Sequence, residues 1–340
     1  MKIYFGYINY SENTAKYADS IAANNDINKF LKTENIFMIN PKGGTELLHT
    51  SLINRLGKDD LQGINLFTGG ISEESLKSGY KNILWNHHSY DQPSIQGYLN
   101  QELVDKVQYF VYVSNWQYEK YRYQFQIPES RSLVIKNAIE SIELKEKPNK
   151  IRLIYTSTPW RGLDVLLEAF SYLDRDDVEL DIYSSTIIYG SQFHEQNEKH
   201  FQALFQLAKN MKNVNYHGYA NNEDIRSALS GAHIFAYPCT WEETSCLSAI
   251  EAGMAGLNLV TTNLGALYET VNTWGRLVGY DSNRENLVKK FAFALNQAID
   301  EYWTRETQER LHAQHAYYKK FYSWDIRINE WKNFLLQIKQ

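Results

Sequence analysis

Hydrophobic residues along this chain gather in short runs separated by polar stretches with helical spacing, the pattern of buried strands alternating with helices. In the first half, strand-like runs fall at residues 2–7, 63–67, 82–85, 109–113 and 132–135. Residues 8–40 are polar and irregular, and a helical pattern at 45–53 follows Pro41-Lys42-Gly43-Gly44. Residues 141–150 are charged, contain Pro148 and lack periodicity, which marks a linker. Alternation then restarts, with strands predicted at 152–155, 178–184, 214–217, 234–237 and 257–260. Helices are predicted at 163–170, 195–210, 223–229 and 246–254, and residues 323–340 carry an amphipathic helical pattern. The expected organisation is an α/β chain of two Rossmann-like domains, 1–140 and 151–322, joined by 141–150. The last helix packs within the second domain or crosses back to complete the first.

Composition narrows the class. Hydrophobic residues make up 43% and charged residues 22%, so the chain reads as globular rather than disordered. The formal net charge of −5 supplies no global basic field for nucleic acid or anionic lipid. Lys120, Arg122, Arg131 and Lys136 form only a modest local basic group. Cys239 and Cys246 have no second pair with which to build a zinc site or a disulfide framework, which points to a reducing cytoplasm. The start of the chain lacks the pattern of a signal peptide, and no apolar run reaches the ~18 residues that span a bilayer.

The segment Pro238-Cys239-Thr240-Trp241-Glu242-Glu243-Thr244-Ser245-Cys246-Leu247 follows one predicted strand and opens a helix, where parallel sheets bind ligands. Amides at that helix start, near Thr244, Ser245 and Cys246, can hold phosphate oxygens. Glu251 lies eight residues beyond Glu243, so one acid precedes the helix and one sits within it, both suited to accept from sugar or ribose hydroxyls. A capping residue plus an ordinary exposed glutamate fits that spacing equally well. The tripeptide Asp174-Arg175-Asp176 has a metal-binding look but falls between a helix and the next strand, on the edge away from this segment.

Glu243 through Glu251 resembles the E-x7-E motif of family 4 glycosyltransferases, and Gly265-Ala266-Leu267-Tyr268-Glu269 resembles that family's following loop. The resemblance implies a GT-B fold, two Rossmann-like domains with parallel sheets facing across a cleft. It implies a retaining, metal-independent hexosyl- or pentosyltransferase with a UDP- or GDP-linked sugar as donor and no other cofactor. By the same resemblance Glu243 contacts the transferred sugar and Glu251 the ribose. Arg161, in Ser157-Thr158-Pro159-Trp160-Arg161, takes the place of the usual phosphate-binding lysine, while Thr156, Ser157 and Thr158 stand where a second basic residue is expected. Gly43 and Gly44 match a glycine-rich turn near the donor. His87, with His88 as the alternative, matches a histidine facing the sugar, and Tyr219 a wall beside the base. The acceptor stays open among a glycan, a lipid-linked glycan, a protein and a modified nucleic-acid base. Nucleotide-sugar epimerases and sugar phosphorylases share the architecture, and a non-catalytic nucleotide-sugar or glycan binder is the alternative outside enzymes.

Overall fold

The computed structural model describes residues 43–339, so the strand expected at 2–7 and the stretch 8–40 lie outside the described residues. The first described helix, α1 (Gly44–Arg55), leads to β1 (Ile64–Phe67), β2 (Lys81–Asn86), α2 (Gln101–Asp105), β3 (Tyr109–Tyr112), α3 (Asn115–Phe125) and β4 (Ser132–Val134). The second series is β5 (Ile151–Thr156), α4 (Leu163–Ser171), β6 (Val178–Tyr183), α5 (Ser191–Asn210), β7 (Val214–Tyr216), α6 (Asn222–Gly231) and β8 (Ile234–Tyr237). It continues with α7 (Leu247–Met254), β9 (Asn258–Thr262), α8 (Leu267–Val271) and β10 (Arg276–Val278). Helices α9 (Arg284–Asp300), α10 (Arg305–Phe321) and α11 (Trp324–Lys339) follow.

The strands form two parallel sheets, one in the order β1-β2-β3-β4 and the other β10-β9-β8-β5-β6-β7. Period-two alternation divides the first sheet between two cores. Ile83, Trp85, Val111 and Val113 pack with α1 on one face, while Leu84, Phe110 and Tyr112 pack with Tyr98 and Tyr121 on the other. In the second sheet β8 and β9 are buried along their whole length, as central strands covered on both faces must be. Its order reverses between β5 and β8, and the crevice at such a switch point is where open α/β sheets bind ligands.

Residues 141–150 form no helix or strand, and Ile142 is buried in the second core. The chain returns beside the same junction: Ile139 bridges Ser323, and its amide donates to the Tyr322 carbonyl at 2.9 Å. Beyond that point α11 crosses to the first sheet. Trp331 meets Trp85 edge-on at 5.1 Å, and Trp324, Phe334, Leu335 and Ile338 complete the core on the α1 face. No helix among the described residues is long and apolar enough to cross a membrane.

Candidate active site

Glu243 lies in the loop between β8 and α7, at the switch point, and is only 7% exposed. Its carboxylate accepts from the Tyr237 hydroxyl at 2.6 Å and is ion-paired with Arg161, which reaches it from the β5–α4 loop. The Cys239 thiol is a weaker donor at 3.8 Å. Burial works against charge on the guanidinium, but the Glu243 carboxylate, with Tyr237, Tyr189 and Cys239 adding to it, holds Arg161 above its ordinary pKa. Burial and the same carboxylate push the Cys239 thiol up to about 12, so it stays protonated and is no nucleophile.

Backbone geometry locks this acid in place. Glu243 bridges Gly265, and its carbonyl accepts from the Ala266 amide at 2.6 Å. Gly265 has φ +62°, and a Cβ there would stand 2.4 Å from the Glu243 nitrogen. Only glycine allows both that conformation and that approach.

The two sheets' carboxyl ends meet here. His87, just past β2, offers its carbonyl to the Thr244 hydroxyl at 3.1 Å. Leu247, the first residue of α7, packs against both cores, and a Cβ on Gly44 would lie 2.9 Å from its Cδ1. The amino ends of α1 and α7 therefore approach each other across the cleft, and neither has a side-chain cap on its amides. Gly44 thus serves close approach between helices. Neither it nor Gly43 has a positive φ, and the Gly43 backbone is extended at φ −61° and ψ 169°. The helix starts one residue later than expected, so Cys246 is its buried N-cap, with Thr244 and Ser245 in the loop before it.

The two histidine alternatives separate by their partners. His88 is committed to structure: its Nδ1 is bonded to the Ser94 hydroxyl, and its carbonyl accepts from Gln117 at 2.8 Å and Tyr121 at 3.1 Å. His87 rests against Trp85, and its Nε2 is buried without a hydrogen bond among the described residues. Burial, with His88 and His49 adding like charge, lowers His87 to about 3, so its ring is neutral near pH 7.

Ser157 sits 3.4 Å from the Tyr237 hydroxyl, while Thr158 is buried and its hydroxyl has no partner among the described residues. Ser248 of α7 donates to the Thr156 carbonyl at 2.8 Å, which ties this loop to the helix. Glu251, on α7, is half-buried and its carboxylate has no partner among the described residues; burial raises it to about 7, with Arg226 pulling the other way. Tyr219 lies on an exposed loop after β7. Nearer the switch point, Tyr183 stacks on His217 at 4.4 Å, and His217 bonds Asp181 at 2.8 Å. Asp174-Arg175-Asp176 lies at the opposite, amino edge of β6, with Arg175 paired to Asp177 and Asp300 and Asp176 to Lys212.

Two contacts escape the sequence reading. Tyr237 had one available signal, a tyrosine at a buried strand end whose hydroxyl needs a partner. Glu269 of α8 had none for its partners. Its carboxylate accepts from the amides of Asn115 (2.9 Å) and Trp116 (3.1 Å) at the start of α3, and pairs with Lys136 at 3.4 Å.

A family model described as "Glycosyl transferases group 1" matches residues 134–314. No curated protein matches the chain by sequence. Among solved structures, a glycosyltransferase from Rickettsia africae ESF-5 is 15% identical with TM-score 0.64, covering 97% of this chain and 96% of that one. Anabaena Alr3699/HepE in complex with UDP-glucose is 15% identical with TM-score 0.62, covering 86% and 82%. The pneumococcal O-GlcNAc transferase GtfA, in complex with UDP and GlcNAc, is 16% identical with TM-score 0.58, covering 88% of this chain and 61% of that one. At such identity the likeness carries the fold, which is the GT-B arrangement of two parallel α/β sheets across a cleft.

Proposed function

The chain belongs to the group 1 glycosyltransferases, and from that premise we propose that it is a retaining, metal-independent transferase of the family 4 type using a UDP-linked sugar. The single observation that carries this reading is the Glu243 carboxylate, fixed by Arg161, Tyr237 and Gly265 at the switch point. It lies in the loop that opens α7, whose start approaches that of α1 through Leu247 and Gly44. The helix amides and Arg161 suit a diphosphate, since a guanidinium has five donors, more than one carboxylate and the Tyr189 hydroxyl use. Glu243 suits the hydroxyls of the transferred sugar, and Glu251, on the next turns of α7 and without a partner among the described residues, suits the ribose. A neutral His87 is able to donate a hydrogen bond to the sugar without adding charge. The Anabaena protein's complex with UDP-glucose supports uridine as the base.

Catalysis on this reading is electrostatic. Arg161 and the helix starts stabilise the diphosphate as its bond to the anomeric carbon lengthens. Attack comes from the face the diphosphate leaves, and one of its oxygens accepts the acceptor proton. Metal independence is favoured because the D-x-D tripeptide lies at the far sheet edge, with Asp176 paired to Lys212. The test is nucleotide release from UDP-glucose, UDP-GlcNAc and GDP-mannose across an acceptor panel, with and without EDTA. Proton NMR of the product reads its anomeric configuration. UDP release that survives EDTA, with the donor's configuration kept, is the expected result. Inversion, a metal requirement or preference for GDP-mannose overturns the corresponding part.

A further inference from the structure

A cavity of about 340 Å³ opens beside the Arg161–Glu243 pair, lined by Asp91 from the first sheet's side and by Thr240, Trp241, Glu242, Leu264 and Tyr280 from the second. Its wall adjoins the Arg161–Glu243 pair. The Trp241 ring lies 6.0 Å from the Arg161 guanidinium, and Glu242 directly precedes Glu243. The two adjacent acids thus serve different spaces: Glu243 turns to Arg161 and Tyr237, while Glu242 lines the cavity and accepts from the Tyr90 hydroxyl at 3.1 Å.

We propose that this cavity is the acceptor site and that its occupant is an uncharged saccharide, an inference that rests on the transferase reading above. Its volume is at the small end of ligand pockets, about 300–1,000 Å³, which suits a short sugar rather than a long apolar chain. Trp241 and Tyr280 offer rings against which the C–H face of a sugar can lie, and each also carries a polar edge. Asp91, Glu242 and Thr240 accept hydrogen bonds from sugar hydroxyls.

Charge decides against the other acceptor classes. Both ionisable side chains on the wall apart from Tyr280 are acids, so a phosphate, a lipid diphosphate or a nucleic-acid backbone meets like charge on entry. Lys120 is not on this wall and lies over the rings of Tyr90 (4.9 Å) and Trp116 (5.5 Å). In the reaction, a hydroxyl oxygen of the bound saccharide bonds the anomeric carbon as that carbon's bond to the diphosphate oxygen breaks. The electron pair leaves on the diphosphate, and the hydroxyl proton passes to a diphosphate oxygen.

Saturation-transfer NMR on the full chain tests the assignment independently of turnover. With the donor site filled by UDP, the probes are maltose, cellobiose and chitobiose, against glucose 1-phosphate. At least one neutral disaccharide is expected to receive transfer at its ring protons. Tyr280→Ala and Asp91→Asn are each expected to weaken its binding about tenfold, as loss of one ring contact or charged acceptor implies, while UDP affinity holds. Contact by none of the disaccharides, contact by glucose 1-phosphate alone, or binding that survives both substitutions overturns the acceptor site. Failure of UDP to bind the unmodified protein overturns the donor reading instead, and calorimetry with UDP alone separates the two.

Discussion

Glu269 of the second sheet's side caps α3 of the first: its carboxylate accepts from the Asn115 amide at 2.9 Å and from the Asn115 side chain at 2.8 Å. A carboxylate on unpaired amides at a helix start is favourable both as a hydrogen-bond acceptor and against the helix dipole. Because the two partners belong to different sheets, this contact holds the cleft closed. Glu269→Ala is expected to remove about 1–2 kcal/mol from closure. Small-angle scattering should then show a larger radius of gyration, and the KM for donor should rise more than kcat falls. An unchanged scattering profile would mean that other contacts alone set the closed form.

Glu243 is buried and paired, so its two obvious substitutions differ. Glu243→Gln keeps a side chain able to accept from Tyr237, and kcat is expected to fall about 10²–10³-fold with a smaller loss of stability than in the alanine variant. Both substitutions remove the counter-ion of the Arg161 guanidinium, 22% exposed, but Glu243→Ala also leaves Arg161 and the Tyr237 hydroxyl without that acceptor. That variant should also lose about 3 kcal/mol of stability, the low end for breaking a buried pair. Thermal unfolding beside steady-state kinetics checks both; equal stability loss in the two would refute the role given to the retained acceptor.

Gly265→Ala places a methyl group 2.4 Å from the Glu243 nitrogen at φ +62°. A strain of about 1–3 kcal/mol is expected, with the loop moving to relieve it. Activity should fall with stability while UDP affinity stays near that of the unmodified protein, since the helix starts are not displaced. Calorimetry with UDP makes that distinction.

The pH dependence of donor binding should trace to Glu251, which burial raises to about 7. Between the ordinary carboxylate value and about 7 the folded state holds a proton the unfolded chain has released. Folding stability from this group therefore declines as pH rises across that window and levels off above it. Ribose hydroxyls bond an ionised carboxylate better, so affinity for UDP-glucose is expected to rise, by roughly tenfold, as pH passes about 7. Glu251→Gln should flatten both slopes. A flat profile in the unmodified protein would detach Glu251 from the ribose.

Trp331→Ala tests the returning helix. Deleting a fully buried indole that meets Trp85 is expected to cost about 3–5 kcal/mol. Hydrogen exchange should show that loss concentrated in β2 and α1, because α11 covers their core rather than that of the second sheet.

The order of strands and helices was legible in the chain because each buried strand needs a continuous apolar run, as Ile234–Tyr237 and Val178–Tyr183 have. Boundaries moved by only a few residues, as at α5, which begins at Ser191 rather than 195. Strand β10 and helices α8, α9 and α10 were not predicted; α10 buries Thr307 and Gln314 beside Leu311 and Tyr318 and so lacks a plain apolar stripe. The loop holding Glu243 could also be placed, because a strand followed by a helix start is a local pattern. What the sequence could not determine is everything that depends on two distant segments meeting. Pairing of Glu243 with Arg161, the choice between His87 and His88, the crossing of α11 and the partners of Glu269 are set by how the sheets pack. Periodicity reports which face of an element is buried, and tertiary packing alone decides against what.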